Sequence, residues 1–173
     1  MSETKKEVKI IRKYPDPILL KKAREVVEIT QEIKNLAEEM IEVMGKEDGV
    51  GLAAPQIGES KRIIVVRIDD DSLVFINPVI LNQSREEKTE EEGCLSFPEL
   101  NLKIRRPKKI KVEALSEKGE KSVIEARDLL ARVLQHEIDH LNGILFIKRA
   151  AIREKIKARK ALRILRKEYE SGR

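Results

Sequence analysis

The segment Gln-His-Glu-Ile-Asp-His, residues 135–140, constrains the chain more than any other feature. It holds both histidines of the sequence, His136 and His140, four positions apart. Residues four apart on a helix lie on one face at about 6 Å, so the two imidazoles can bind one metal ion. Glu137 lies beside them, where it can act on a water molecule at that ion. The motif therefore predicts a helix that carries a metal centre.

A third ligand is needed, because catalytic metal sites commonly have three protein ligands and an open position. The only cysteine, Cys94, lies in the segment Glu-Glu-Gly-Cys-Leu-Ser and offers a soft thiolate ligand. A lone cysteine is more often just a small buried apolar residue, and other HExxH enzymes take a downstream glutamate instead. The three downstream glutamates here all fall in a strongly basic segment, so Cys94 is the preferred third ligand.

Charge is unevenly distributed along the chain. Residues 148–173 contain eleven Lys or Arg and three Glu, a net charge of +8, whereas the whole chain carries +5, so residues 1–147 carry −3. A basic end of this kind predicts either an anionic partner such as RNA or a solvated helix face.

No apolar run approaches the roughly 18 residues of a membrane span. With a lone thiol and no visible signal sequence, the chain is predicted to be cytoplasmic and to have no membrane partner.

Apolar periodicity predicts helices and strands that do not alternate. The predicted helices cover about 30–45, 128–142 and 150–170, and the predicted strands cover 62–68, 73–81, 108–115, 121–127 and a short segment at 143–147. Residues 83–92 are predicted as an edge strand or a loop. This order favours an α+β fold, with antiparallel or mixed sheets packed around the central HExxH helix, and with a C-terminal helix.

Residues 1–147 are predicted to form the catalytic domain. Residues 148–173 are predicted to form a basic C-terminal helix, either as part of the same domain or as an appendage. Its apolar stripe is narrow and rich in alanine, which predicts only light docking on the body.

The segment Gly-Val-Gly-Leu-Ala-Ala, residues 49–54, matches a dinucleotide-binding fingerprint in letters but not in context. That fingerprint needs a strand before it and a helix after it, whereas here a helix precedes and Pro55 and Gly58 block a helix. Its glycines instead suit close backbone approach to a peptide-like ligand. Gln56 offers an amide donor where an oxyanion develops.

Together, three segments resemble the motifs of the peptide deformylase family. They are GVGLAAPQ (49–56), EGCLS (92–96) and QHEIDHLNG (135–143), in the family's order and spacing, and the resemblance covers about residues 10–147. It implies a metal-dependent hydrolase that removes the N-formyl group from the initiator methionine of newly made polypeptides and releases formate.

The resemblance also implies site residues. It implies that Cys94, His136 and His140 bind one divalent ion, which is Fe(II) natively, with Zn, Ni or Co as substitutes. Glu137 is then the general acid and base, and Gln56 and the backbone N–H of Leu95 hold the oxyanion. The substrate-binding residues implied are Gly49, Val50, Gly51, Glu92, Leu129, Arg132 and Val133.

Three further residues bear on the implied substrate site. Glu92 is expected to pair with Arg106. Arg132 is unexpected in an apolar methionine pocket, and its stem is expected to pack there while its head reaches water. Asn101 stands where several relatives have an arginine near the substrate backbone, a departure that bears on substrate affinity and not on the reaction.

Two other functions remain open from the residues alone. A zincin-type endopeptidase would need a downstream third ligand and would not need Cys94. An RNA- or ribosome-binding protein with a structural metal would usually need four ligands and would leave Glu137 without a role. Within the deformylase interpretation, the basic C-terminal helix is predicted to hold the enzyme near rRNA on the ribosome.

Overall fold

The computed structural model describes residues 9–172, which form helices and antiparallel sheets. The α-helices are α1 (Gln31–Lys46), α2 (Asp128–Leu141), α3 (Phe146–Arg149) and α4 (Ile152–Ser171). The strands are β1 (Gly51–Ala53), β2 (Ile63–Ile68), β3 (Asp71–Gln83), β4 (Glu87–Cys94), β5 (Phe97–Pro107), β6 (Lys109–Leu115) and β7 (Lys121–Arg127). Two 3₁₀ helices cover Pro17–Leu20 and Ala54–Ile57.

The strands form two sheets, which confirms the α+β prediction. The larger sheet has the order β1-β2-β3-β6-β7, and every neighbouring pair in it is antiparallel. The smaller sheet is the hairpin β4–β5, with a register irregularity between Glu92 and Cys94. Helix α2 packs between them and brings the HExxH motif to the centre of the molecule.

Strand β2 explains how two helices share one sheet. Ile64 and Val66 point into a cluster with Leu134 and Ile138 of α2. The alternate residues of β2 point the other way, into a cluster with α1 residues such as Met40. Because successive side chains of a strand face opposite sides, the apolar run Ile-Ile-Val-Val is buried on both faces.

Strand β5 was not predicted, and residues 143–147 were predicted wrongly. In β5, Leu102, Ile104 and Arg106 point inward. The arginine at an inward position interrupts the apolar alternation by which a strand is recognised in the sequence. Residues 143–147 form a turn and the start of α3 rather than a strand. Gly143 has a φ of 68° there, and the Ile144 N–H donates back to the Asp139 carbonyl of α2.

Helix α4 packs on the rest of the protein through a few buried residues. Ala158 and Leu165 are buried in a cluster with Phe97 and Phe146. Glu154 is also buried, and its Oε2 accepts a hydrogen bond of 3.2 Å from the backbone N–H of Lys103 in β5. Within Ile152–Ser171 only these three residues are buried, and Glu154 adds a polar contact to those of the apolar stripe. Over residues 9–172, no helix is long and apolar enough to cross a membrane.

Asn77 holds the segment before α1 against β3, and this contact generates a stability prediction. Asn77 has a φ of 52°, its Oδ1 accepts from the Val26 N–H at 2.9 Å, and its Nδ2 donates to the Val26 carbonyl at 2.8 Å. Asn77→Ala removes two hydrogen bonds, each contributing about 1 kcal/mol, and leaves alanine in the left-handed region at a further cost of about 1 kcal/mol.

The expected result is a fall of about 3 kcal/mol in the unfolding free energy of Asn77→Ala, measured by urea denaturation. Asn77→Gly is the matched control, because it loses the same hydrogen bonds but tolerates the backbone conformation, so it should lose only about 2 kcal/mol. Equal losses for alanine and glycine would contradict a strained backbone at this position.

Candidate active site

A cavity of about 1040 Å³ lies between the end of α1, β1, the β4–β5 hairpin and α2. The structure brings every predicted site residue except His140 to the lining of this cavity. His140 lies just behind the lining, where its Nε2 is 3.2 Å from the Sγ of Cys94. Leu129 and Val50 are about half exposed or more at the cavity, so it offers apolar surface at its mouth.

The three predicted metal ligands meet at the floor of the cavity. Donor atoms of Cys94, His136 and His140 all lie within 4.8 Å of one another. The cysteine ends strand β4 and both histidines lie on α2, so two elements distant in the sequence form one ligand set. Among residues 9–172 this set is one thiolate and two imidazoles with no fourth side chain, which corresponds to an open metal site.

The two histidines have opposite electrostatic environments, and only that of His136 favours positive charge. The Nδ1 of His136 contacts the Oε2 of Glu92 at 3.1 Å, which leaves its Nε2 for a metal. Burial acts to lower the pKa of His136, but hydrogen bonds to Cys94 and Glu92 outweigh it and raise that pKa to about 10. Burial and the charge of His136 hold the pKa of His140 well below its usual value. A cation bound by Cys94 and His136 therefore fits this donor set, because it would take the place of the proton that these two residues share.

Glu92 is the centre of a buried ion cluster. Arg106 donates to both its oxygens, at 2.6 and 3.0 Å, as the sequence predicts, and also donates to Asp139 of α2 at 2.8 Å. Burial acts to raise the pKa of Glu92, but hydrogen bonds from His136 and Arg106 outweigh it and lower that pKa to about 2. The carboxylate therefore stays ionised and orients the imidazole of His136.

The predicted orientation of Arg132 is wrong. Its guanidinium does not reach water: the residue is 6% exposed, and Nη1 donates to Glu92 while Nε donates to Glu90 at 3.1 Å. Nη1 and Nη2 also donate to the carbonyls of Ile104 and Lys88. Acidic and carbonyl acceptors on the hairpin attract the charged head, and the residue lines the cavity without presenting a charge to solvent.

Glu137 is buried at the cavity with an unused acceptor. Within residues 9–172, no hydrogen-bond partner reaches its Oε2. Burial raises the pKa of Glu137 to about 7, with the charges of His136 and Arg106 opposing the rise. Gly51 makes room for this carboxylate, because a Cβ there would lie 2.6 Å from Oε1. A carboxylate with a pKa near neutrality and a free oxygen suits proton transfer.

The opposite side of the cavity carries Gln56 and Leu95. Gln56 is 1% exposed, its Oε1 accepts from the Ala53 N–H at 2.8 Å, and its Nε2 lies 3.6 Å from the Sγ of Cys94. Leu95 belongs to the two-residue turn between β4 and β5, directly after the cysteine. Asn101 lies over Gly93, where a Cβ would meet its Oδ1 at 2.5 Å.

Two residues that organise this site were not predicted from the sequence. Asp139 accepts from Arg106 and from Arg149, at 2.6 Å in the closest contact, and so ties α2 to β5 and α3. Ser96 accepts from Gln56. Ser96 lies inside the motif of residues 92–96 and Asp139 inside that of residues 135–143, and this position could have marked them as site residues. Their hydrogen-bond partners are distant in the sequence, so their contacts could not be predicted from it.

Two histidines and a glutamate on one helix, a cysteine on a neighbouring hairpin and an open cleft define the class of the HExxH metallohydrolases. The family model described as polypeptide deformylase matches residues 8–156. The chain therefore belongs to the peptide deformylase family, and it is an enzyme of that family.

Individual relatives agree with this assignment. Peptide deformylase of Clostridium botulinum is 52% identical over 139 residues, which cover 80% of this chain and 94% of that protein. Peptide deformylase of Thermotoga maritima is 45% identical over 152 residues, covering 88% and 93% of the two chains. A crystal structure of peptide deformylase from Plasmodium falciparum superposes with a TM-score of 0.90 at 38% identity, covering 94% and 98%.

Glu92→Gln tests the coupling between the ion cluster and the ligand set. Glutamine keeps the shape of the side chain but removes the charge that orients His136, so metal affinity is expected to fall about 10- to 100-fold. Affinity is measured by competition with a zinc chelator, with circular dichroism to confirm the fold. Glu90→Gln is the matched control, because Glu90 contacts Arg132 without contacting His136. Equal affinities for both variants would contradict the proposed orientation.

Proposed function

We propose that this chain removes the N-formyl group from the initiator methionine of new polypeptides in the cytoplasm and releases formate, using one divalent metal ion. Cys94, His136 and His140 would hold the ion, natively Fe(II), with Zn, Ni or Co as substitutes. The observation that carries the proposal is the meeting of these three donors beside the unused oxygen of Glu137 in an open cleft. When bound, the ion acts as a Lewis acid that polarises the formyl carbonyl and lowers the pKa of water.

Glu137 moves the proton in this reaction. Its Oε2 takes a proton from the attacking water, whose oxygen then bonds to the formyl carbon. The C–N bond breaks, formate leaves, and Glu137 returns the proton to the methionine nitrogen. Burial supports this role, because a carboxylate with its pKa near neutrality both accepts and returns a proton without a large free-energy penalty.

Gln56 and Leu95 stabilise the negative charge that develops on the formyl oxygen by donating hydrogen bonds to it. The Nε2 of Gln56 and the backbone N–H of Leu95 are the proposed donors, and both residues lie beside Cys94. Donors that the fold holds in place before the reaction stabilise the oxyanion without reorganising.

The rest of the cavity binds the substrate. Leu129, Val133 and the stem of Arg132 form the proposed methionine pocket, since all three line the cavity from α2. The glycines and valine of residues 49–51, which lead into β1, would border the peptide. Glu92 contributes indirectly, through His136.

The two rival functions receive less support. A zincin-type ligand set would need a downstream glutamate, but Glu154 bonds to the Lys103 N–H and Lys157, and Glu168 and Glu170 are exposed on α4. A structural metal would leave the free oxygen of Glu137 and the open cleft unexplained.

We also propose that residues 148–173 extend the catalytic domain of residues 1–147 and place it near ribosomal RNA. The support is a row of basic residues on the exposed face of α4, at Arg159, Arg163 and Lys167, opposite the buried Ala158 and Leu165. Phosphate contacts of this kind need positive charge and weaken as salt increases.

Glu137→Gln tests the catalytic proposal. The amide keeps the size of the side chain but cannot accept the proton, so formate release from a formyl-methionyl peptide should fall by about 10² to 10⁴. The protein is prepared without oxygen, and bound iron and zinc are measured in both forms. Metal content should be unchanged, since Glu137 is not a proposed ligand. Glu125→Ala, exposed on β7, is the control. Turnover of Glu137→Gln within a few-fold of the parent would refute the role.

A triple substitution tests the proposed binding to RNA. Replacing Arg159, Arg163 and Lys167 by glutamine leaves the buried face of α4 intact, so the fold and turnover on a short peptide should persist. Co-sedimentation with ribosomes at low salt should weaken, and its dependence on log[salt] should decrease by about one unit for each phosphate that the variant no longer neutralises. The same change at Lys109, Lys111 and Lys118, exposed on and after β6, is the control. Equal binding by both triple variants would contradict the proposal.

A further inference from the structure

Ser96 is the other residue of the turn between β4 and β5, and it is fully buried. Its Oγ accepts a hydrogen bond of 3.2 Å from the Nε2 of Gln56. We propose that Ser96 is a positioning residue, which holds the amide of Gln56 so that one of its two N–H groups faces the oxyanion. This proposal rests on the proposed function, because it takes Gln56 as an oxyanion donor.

The orientation of the Gln56 amide follows from its partners. The backbone N–H of Ala53 can only donate, so the atom that accepts from it at 2.8 Å is the oxygen of the amide. The nitrogen therefore lies on the other side, toward Ser96 Oγ and Cys94 Sγ. Three partners, one for the oxygen and two for the nitrogen, determine the plane of the amide.

The two hydrogens of Nε2 then have different environments. One is used by Ser96, at 3.2 Å, which is the distance of an ordinary hydrogen bond. The second faces Cys94, at the longer distance of 3.6 Å, on the side of the metal ligands and the cavity. Because the formyl group must lie near these ligands, the second hydrogen is the one directed at its oxygen.

The main chain fixes Ser96 relative to Gln56. One segment near the N-terminus bonds to both residues: the Arg12 N–H donates to the Gln56 carbonyl at 2.6 Å, and the Tyr14 N–H donates to the Ser96 carbonyl at 2.9 Å. The ring of Tyr14 also stacks on Phe97, the residue after Ser96, with centroids 5.1 Å apart. These contacts hold the main chains of the two residues next to each other without any contribution from substrate.

Removing the hydroxyl leaves the amide with its hydrogen bond from Ala53 and the longer contact of Nε2 with Cys94 Sγ. The amide plane is then held less firmly about its last torsion, and the second N–H points less consistently at one place. Removing an oxyanion donor outright costs about 10² to 10³ in kcat, so misorienting one should cost less, about 10- to 100-fold. Ground-state binding uses other surfaces of the cavity, so KM should change little.

The experiment compares Ser96→Ala and Ser96→Cys with the parent, all loaded with zinc, on a formyl-methionyl peptide. Cysteine keeps the connectivity of serine with a somewhat larger atom and is a much weaker acceptor. Both variants should lose kcat about 10- to 100-fold, with KM and zinc content unchanged. Ser122→Ala, exposed on β7, should match the parent. An inactive parent would refute the proposed function, whereas an active parent with unchanged Ser96 variants would refute only this inference.

A double-mutant comparison separates positioning from packing. In a Gln56→Ala background, Ser96→Ala should have no further effect on kcat, since there is no amide left to orient. A full additional loss in that background would overturn the proposal. Loss of folding in both Ser96 variants would also overturn it, because it would assign Ser96 to the core.

A second readout does not depend on turnover. The side-chain amide protons of Gln56, identified in nitrogen-15 NMR spectra by their loss in Gln56→Ala, should exchange slowly with solvent in the zinc-loaded parent. In Ser96→Ala they should exchange at least about tenfold faster, because one proton loses its acceptor. Unchanged exchange would show that Ser96 does not hold the amide.

Discussion

The rest of the site depends on the hydrogen bonds and ion pairs of the Glu92 carboxylate. It is buried, and burial of a lone charge is strongly unfavourable. Arg106, Arg132 and His136 surround it, so that each of its oxygens accepts at least two hydrogen bonds. Three elements meet at this one group: β4 carries the carboxylate, β5 carries one arginine, and α2 carries the other arginine and the histidine. The ion cluster therefore fixes the hairpin on the helix.

The position of the ligand set follows from that attachment. Cys94 is two residues beyond Glu92, and the register irregularity between them turns the thiol toward α2. The sheet contributes the other wall of the cleft, because β1 passes so close to Glu137 that only glycine fits at position 51. The carboxylate of Glu137 thus lies between two walls, each of which is held by contacts within the protein. Reacting groups that are held before substrate arrives avoid part of the entropic cost of orientation.

The sequence predicts this molecule best where local pattern and chemistry agree. Helix α2 combines apolar periodicity with two histidines four positions apart, a spacing that brings them to one face only in a helix. Both the bounds of this helix and its candidate metal ligands were therefore predictable. Strand β5 was missed because Arg106 occupies an inward position, where its partner is distant in the sequence. The prediction for Arg132 was wrong because its partners are also distant in the sequence. Glu90, Glu92 and two carbonyls of the hairpin reach its guanidinium only after the chain has folded. Residues 143–147 have the composition of a strand, but backbone bonds to the end of α2 decide otherwise.

The hydrogen bond between Glu154 and the Lys103 N–H bears on self-association. An exposed strand edge is a template on which another chain can add, and uncontrolled addition leads to aggregation. A carboxylate on α4 occupies one such donor of β5, and the helix lies against this strand. β1, by contrast, is one of the two edge strands of its sheet, with β7 at the other edge, and it lies at the cleft. The fold thereby leaves a strand edge beside the cleft and covers part of the edge of the hairpin.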